Sequence, residues 1–437
     1  MKNRVLILIV GLFFVNISIF AQFGKNKVQY EKFNWKYIQS ENFDIYYNEG
    51  SKYLAIFASF SAEQGLREYQ KNLNFNITKR IPIIIYNTHN EFQQTNVISS
   101  FMPEGVGGVT ELFKNRIVIP FQGNYAVFDH VIKHELGHGV LNDMFYGGTF
   151  QSAIASGSNF AIPLWMNEGY VEWMSIGGMN TETDMFMRDL IVSEQLPSLD
   201  RLDGYLAYRG GQTFYWYIED KYGKEKIGDL LNRLKLYRNV ELAFENTFQM
   251  SFKEFSEKWE RDLKKYFLPE LSKFDNPKDY AIQITNHRED RSFYNSSPAI
   301  SPDGKRMAYI SAVGGTFGIF IKNIDEKGPG KRIISSFRRQ DFEDLNMISP
   351  GISWNPKGDR LAISAKSGGE DAIFIVNPEN GDYERLKFGL KSISSVEWSP
   401  DGNKLAFIGT DIERSDIYIY EFGNKELTNI TNDIFSD

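Results

Sequence analysis

Residues 134–138 read His134-Glu135-Leu136-Gly137-His138, inside an apolar-periodic run from Phe128 to Phe145 that Gly147-Gly148 ends. That period predicts an α-helix. On a helix, residues four apart share a face, so both imidazoles reach one Zn²⁺ while Glu135 stands beside it as a base for water. The chain has only five histidines in 437 residues, so two at this spacing around a glutamate are a signal and not background composition.

A catalytic zinc needs a third protein ligand and an open position. Downstream, the segment Pro163-Leu-Trp-Met-Asn-Glu-Gly-Tyr-Val-Glu-Trp173 sets Glu168 and Glu172 four apart on a mostly apolar helix. Two carboxylates there repel each other and lose solvation unless something positive faces them. A metal held by Glu168, with Glu172 orienting a ligand histidine from behind, removes that cost.

The surroundings predict what carries this helix. Phe43–Glu49 reads as a strand, Tyr53–Leu73 as an amphipathic helix and Arg80–Asn87 as a buried strand. Thr88 and Glu91 stand at capping-box spacing, and Gly107–Phe121 reads as a further strand or hairpin. Helical patterns follow at Pro163–Ile176, Gly211–Tyr222 and Lys224–Leu236, and end near Trp259–Phe267. A short mixed sheet followed by helices is an α+β domain.

His134–His138 together with Leu164-Trp-Met-Asn-Glu-Gly-Tyr-Val-Glu-Trp173 resembles the gluzincin metallopeptidases, in particular their M1 aminopeptidase-like branch. The resemblance spans about Asn34 to Leu271. It implies a zinc peptidase fold, with Zn²⁺ on His134, His138 and Glu168, Glu135 as the base and Glu172 behind a ligand histidine. Tyr208-Arg-Gly-Gly-Gln-Thr-Phe-Tyr-Trp-Tyr-Ile-Glu219 resembles the M1 segment whose leading tyrosine is catalytic. That implies Tyr208 as the oxyanion donor, with Tyr205 the alternative. In Gly107-Gly-Val-Thr-Glu111, Gly108 and Glu111 fit the first and fourth places of the M1 motif Gly-x-Met-Glu-Asn, whereas Thr110 and Leu112 depart from it. This implies substrate binding at Gly108 and an amine anchor at Glu111. The 29 residues between His138 and Glu168 exceed the family's usual interval, and the small-residue stretch Gly147–Asn159 is read as a lid or specificity loop. His130 reads as a supporting or surface residue, and His89 and His287 as ordinary ones.

After Pro269 the pattern changes. Ser301-Pro-Asp-Gly-Lys, Asn355-Pro-Lys-Gly-Asp and Ser399-Pro-Asp-Gly-Asn recur at spacings of 54 and 44 residues, each followed by two alternating strands. Proline second and glycine fourth suit a tight turn, and such a period marks propeller blades. These repeats resemble those of TolB-type propellers. Three motifs are present, and Glu426–Asp433 echoes Ala281–His287 as though a fourth blade were beginning. The expectation is therefore an all-β, incomplete propeller over residues 280–437, with the extra residues of the first interval in a polar loop, Arg338–Asn346.

Lys2 and Arg4 followed by apolar Val5–Phe20 and then Ala21-Gln22 read as a signal peptide, residues 1–21, with a retained anchor as the alternative. The peptidase domain is then 22–271 and is expected to fold alone. Export to the periplasm, outer envelope or medium of a Gram-negative bacterium follows, with no membrane span after cleavage. A net charge of −7 without a long basic run argues against nucleic-acid binding. The absence of cysteine removes disulfides, thiolate sites and cysteine nucleophiles. The expected partners are a peptide or protein substrate and a protein bound through the propeller. The competing reading is a pseudopeptidase that serves as a scaffold.

Overall fold

The computed structural model describes residues 27–100, 102–112, 114–147, 160–271, 273–275, 277–336, 341–347, 351–412, 414–433 and 435–436. The signal peptide and the proposed lid, apart from Gly147, lie outside them.

Five strands form the first sheet: β1 (Trp35–Gln39), β2 (Phe43–Asn48), β3 (Ile81–Tyr86), β4 (Val109–Thr110) and β5 (Ile117–Pro120), in the order β1-β2-β3-β5-β4. β2, β3 and β5 run parallel, and β1 and β4 are antiparallel edges. Alternation in β2 and β3 sends Phe43, Ile45, Ile81, Ile83 and Ile85 into the core. Helix α1 (Lys52–Leu73) packs on the sheet, and its apolar face (Leu54, Ala58, Ala62, Leu66, Leu73) meets the zinc-motif helix. A single turn, α2 (His89–Phe92), follows β3, with the Thr88 hydroxyl accepting from Glu91 N (3.3 Å).

The zinc-motif helix is α3 (Tyr125–Tyr146), capped by the Asn124 side chain and ended by Gly147 in the left-handed conformation, φ 73°. Then come α4 (Leu164–Ile176), α5 (Thr181–Val192), α6 (Tyr205–Tyr222), α7 (Glu225–Tyr237), α8 (Val240–Phe248) and α9 (Phe252–Leu271). Sequence periodicity starts α6 six residues late because Gly210 and Gly211 weaken the signal, yet tertiary packing demands both. A Cβ on Gly211 would lie 2.2 Å from Trp165 O, and one on Gly169 would lie 2.3 Å from the Gly211 carbonyl carbon. Thus α4 and α6 cross backbone on backbone. Strand β1 and helices α5 and α8 have no counterpart in the sequence reading. β1 is exposed along most of its length, and α5 and α8 are short, so none imposes a strong period.

The C-terminal sheets are antiparallel blades. The first comprises β6 (Ser292–Ile300), β7 (Arg306–Val313), β8 (Thr316–Asn323) and β9 (Lys331–Ser335). In the second, β10 (Asp344–Leu345) and β11 (Ile352–Trp354) both pair with β12 (Leu361–Ser367), followed by β13 (Glu370–Val376) and β14 (Tyr383–Leu386). The third comprises β15 (Ser392–Trp398), β16 (Lys404–Thr410), β17 (Ser415–Glu421) and β18 (Glu426–Asn429). The repeated motif is the turn into the second long strand of each blade. Ser301 Oγ accepts from Arg306 N, and Ser399 Oγ accepts from Lys404 N, both at 2.9 Å. Asn355 Oδ1 takes that role from Arg360 N at 3.1 Å, and all three glycines have φ 72°.

Two expectations are corrected. Glu426 does not open a fourth blade: β18 pairs with β17, Glu421 facing Glu426, and Leu427 packs into the third blade's core. Its likeness to 281–287 is one of sequence, since residues 281–286 form no strand. Nor is the end of the extra segment a polar loop, because Asp344 and Leu345 pair with Lys366 and Ala365 as β10. Among the described residues no helix is long and apolar enough to cross a membrane.

The α4–α6 crossing generates a prediction. Gly169→Ala must push the two helix backbones apart and should cost at least the roughly 1–3 kcal/mol typical of overpacking. Calorimetry on the full chain is expected to show a Tm lower by several degrees; an unchanged Tm would mean the helices can separate freely.

Candidate functional site

α3 brings His134 and His138 to one face, and α4 crosses it with Glu168. The two Nε2 atoms are 3.3 Å apart, and Glu168 Oε2 lies 3.5 Å from that of His134 and 3.2 Å from that of His138. Ligand atoms about 2.0–2.1 Å from a tetrahedral Zn²⁺ stand about 3.3–3.4 Å from one another, so the triangle has the right edges. Glu168 Oε2 is buried with no hydrogen-bond donor. A buried carboxylate oxygen without a donor is costly, and a cation between these three atoms satisfies it. The residues present therefore fit a zinc ion.

Both imidazoles are fixed from behind. His134 Nδ1 faces Glu172 Oε2 at 2.9 Å, and His138 Nδ1 faces Asn167 Oδ1 at 3.2 Å. With Nδ1 engaged by acceptors, Nε2 of each ring is left for the metal. Glu172 is itself held by Arg209 Nη1 at 2.9 Å, and Arg209 donates to Glu182 Oε1 at 2.6 Å and to the Tyr205 hydroxyl at 2.8 Å. Burial alone would lower the His134 pKa, but the carboxylates of Glu168 and Glu172 beside the ring outweigh it and raise it to about 10. Burial likewise opposes the charge of Glu168, yet the two histidines hold its carboxyl well below its ordinary value. A metal held here would have to displace any proton on His134 Nε2.

Glu135, buried one residue along α3, accepts from the Thr110 hydroxyl at 2.7 Å. Thr110 belongs to β4, the edge strand, and the same hydroxyl lies 2.9 Å from Glu135 O. Gly108 makes this approach possible, since a Cβ there would sit 2.8 Å from Glu135 Cγ. The Tyr208 ring stacks on His134, with centroids 6.1 Å apart and planes at 10°. Burial first, then the charges of Glu168 and Glu135, raise its pKa, so the phenol stays protonated. A cleft of about 370 Å³ opens beside His134, Glu135 and Tyr208, lined also by Gly105–Gly108, His130 and Tyr205.

Residues 61–265 match the family described as Peptidase MA superfamily, and residues 280–435 match the TolB beta propeller domain. The chain joins a Peptidase MA superfamily domain to a TolB β-propeller domain. A TolB homologue of Chlorobium luteolum is 32% identical over 131 residues, 30% of this chain and 27% of that protein. The chain thus spans about a quarter of that relative's length. Among solved structures, TolB from Acinetobacter baumannii is 23% identical, covering 32% of this chain and 33% of its own, with a TM-score of 0.28. A putative TolB from Agrobacterium tumefaciens is 20% identical over 32% and 47%, with a TM-score of 0.27.

In the peptidase domain, His134, Glu135, His138, Glu168, Glu172, Gly108 and Tyr208 come together as one cluster. Glu111 does not join them. Its carboxylate pairs with Arg116 Nε at 2.6 Å across the β4–β5 turn, outside the residues that line the cleft. Tyr205 is half exposed and its hydroxyl bonds to Glu182 at 2.6 Å, so Tyr208 is the tyrosine over the histidines. His130 lines the cleft 3.5 Å from Glu172. Sequence reasoning missed Thr110, Asn167 and Arg209. Asn167 and Arg209 adjoin motif residues in sequence, but nothing local reveals which way a neutral amide or a guanidinium turns.

Metal content and stability are predicted to move together. One zinc per chain is expected by elemental analysis, and zinc at a hundredfold excess over its Kd should add about 2.7 kcal/mol of stability. Glu168→Ala should lose both the stoichiometric zinc and the zinc-dependent rise in Tm.

Proposed function

We propose that this chain is an exported zinc endopeptidase. The observation that carries it is the convergence of His134 Nε2, His138 Nε2 and the partnerless, buried Glu168 Oε2, with Glu135 beside them. A Zn²⁺ held by these three would supply a Lewis acid for water and for the scissile carbonyl. Glu135, aimed by Thr110, takes the proton of the attacking water and returns it to the departing amine. Tyr208, kept neutral, donates a hydrogen bond to the oxyanion of the tetrahedral intermediate. Edge strand β4 offers its backbone for pairing with an extended substrate.

Cleavage at internal bonds is favoured because the charged groups beside the catalytic cluster that could anchor a chain terminus are already paired. Glu172 is shared by His134 and Arg209; Arg209 also binds Glu182; Glu111 binds Arg116. A free amino or carboxyl terminus therefore meets no spare counter-charge from these groups. Export rests on the basic and apolar N-terminal residues, and the propeller would receive a protein partner or restrict substrate entry.

Glu135→Gln is expected to lower turnover on a cleavable peptide by about 10²–10⁴-fold while leaving zinc content intact. Tyr208→Phe should lower kcat on the order of a hundredfold, and Tyr205→Phe only slightly. A peptide acetylated and amidated at its ends should be cut as fast as its free-ended twin. A strong preference for the free amine would instead make the enzyme an aminopeptidase.

A further inference from the structure

Gly105–Gly108, which line the cleft, close the segment Met102–Gly108, Met-Pro-Glu-Gly-Val-Gly-Gly, and this segment leads directly into β4 and Thr110. With three glycines in seven residues it has little conformational preference of its own. Its one internal backbone bond is a turn, Val106 N to Pro103 O at 2.9 Å. Most of what fixes it comes from elsewhere, and much of that from the second propeller blade.

Glu104 Oε2 accepts from the backbone N–H of Met347, two residues beyond β10. Gln93, just past α2, donates to Met102 O at 2.8 Å and to Asp344 Oδ2 at 3.1 Å, and its carbonyl oxygen receives Lys366 Nζ. Asn90, on α2, donates to Asp371 Oδ1 at 2.8 Å and to Lys391 O at 3.0 Å. The same turn supplies His89, whose Nε2 lies 3.2 Å from Val106 O. A carbonyl only accepts, so that nitrogen carries the proton, and burial keeps the ring neutral by lowering its pKa to about 4. Asn90, Gln93, Asp344, Lys366 and Asp371 are all buried, so these bonds form out of water, where a lost partner costs most.

We propose that the second blade positions the catalytic wall: Glu104 and Gln93 are positioning residues that transmit the blade's placement to Gly108 and Thr110, and so to Glu135. The propeller is then a support of the active site and not only a gate or docking module. The inference rests on the peptidase reading for its consequence in turnover, but the mechanical link can be read without any substrate.

The test uses the full chain with Glu104→Ala and, as the conservative variant, Glu104→Gln, whose amide oxygen can still accept from Met347 N. Hydrogen exchange is followed by mass spectrometry beside zinc content and steady-state kinetics. In Glu104→Ala, amides of 105–110 should exchange at least tenfold faster while α3, α4 and the blades keep their protection and zinc stays stoichiometric. The value of kcat/KM should fall at least tenfold, since small misplacements of reacting groups are costly. Glu104→Gln should restore most of both. Wild-type exchange in 105–110 with wild-type kinetics in the alanine variant overturns the proposal, as does a general loss of protection that Glu104→Gln shares. If the wild type cleaves no peptide but the exchange pattern appears, the link stands and the peptidase reading is what fails.

Discussion

The contact of Gly169 with Gly211 is the constraint on which the site depends. Helix α4 carries Glu168 and Glu172, and α6 carries Tyr208 and Arg209. Only where two backbones touch without side chains between them can four such groups come within reach of the α3 histidines. Any Cβ at the crossing would push the helix of Glu168 away from the helix that holds Tyr208. The cost of glycine inside two helices, about 1 kcal/mol each, is offset by this packing.

Around the crossing, charge is balanced in layers. Glu168 and Glu172 would be untenable alone in the apolar interior shared by Trp165, Val171 and Trp173. Glu172 is neutralised by Arg209 and His134, and Arg209 in turn reaches the half-exposed Glu182 at the rim. The network costs desolvation energy and gives orientation in return, as buried ion pairs often do. One oxygen of Glu168 is buried without a hydrogen bond, a local deficit that a cation between it and the two histidines would remove.

The blades are held by a different logic. β11 is buried at all three positions because the middle blade meets β6 on one face and β15 on the other, whereas its counterparts β6 and β15 are only partly covered. Trp354 Nε1 donates to Ala299 O and thus fastens the second blade to the first. On the peptidase side the fastening is polar, through side chains of α2 and the segment after it. A polar junction of this kind specifies orientation more than it adds stability.

The sequence by itself determined the elements with strong periods and fixed turn chemistry: α1, α3, α4, β2, β3 and the three blade turns, where Asn355 replaces serine without changing the bond made. The four-residue spacing of His134 and His138 puts both imidazoles on one face of α3, and the crossing of α4 brings Glu168 to them. The sequence misled where a short segment borrows its partner from afar. Glu426–Asn429 looks like the start of a blade and instead completes one, since strand identity is settled by pairing with β17. Glu111 fits a family position but turns to Arg116, because a two-residue strand leaves its flanking side chain free to find the nearest cation. The roles of Thr110, Asn167, Arg209 and Glu104 were decided only by tertiary structure. Each acts through hydrogen bonds to residues distant in the chain, and such bonds leave no period, spacing or composition behind.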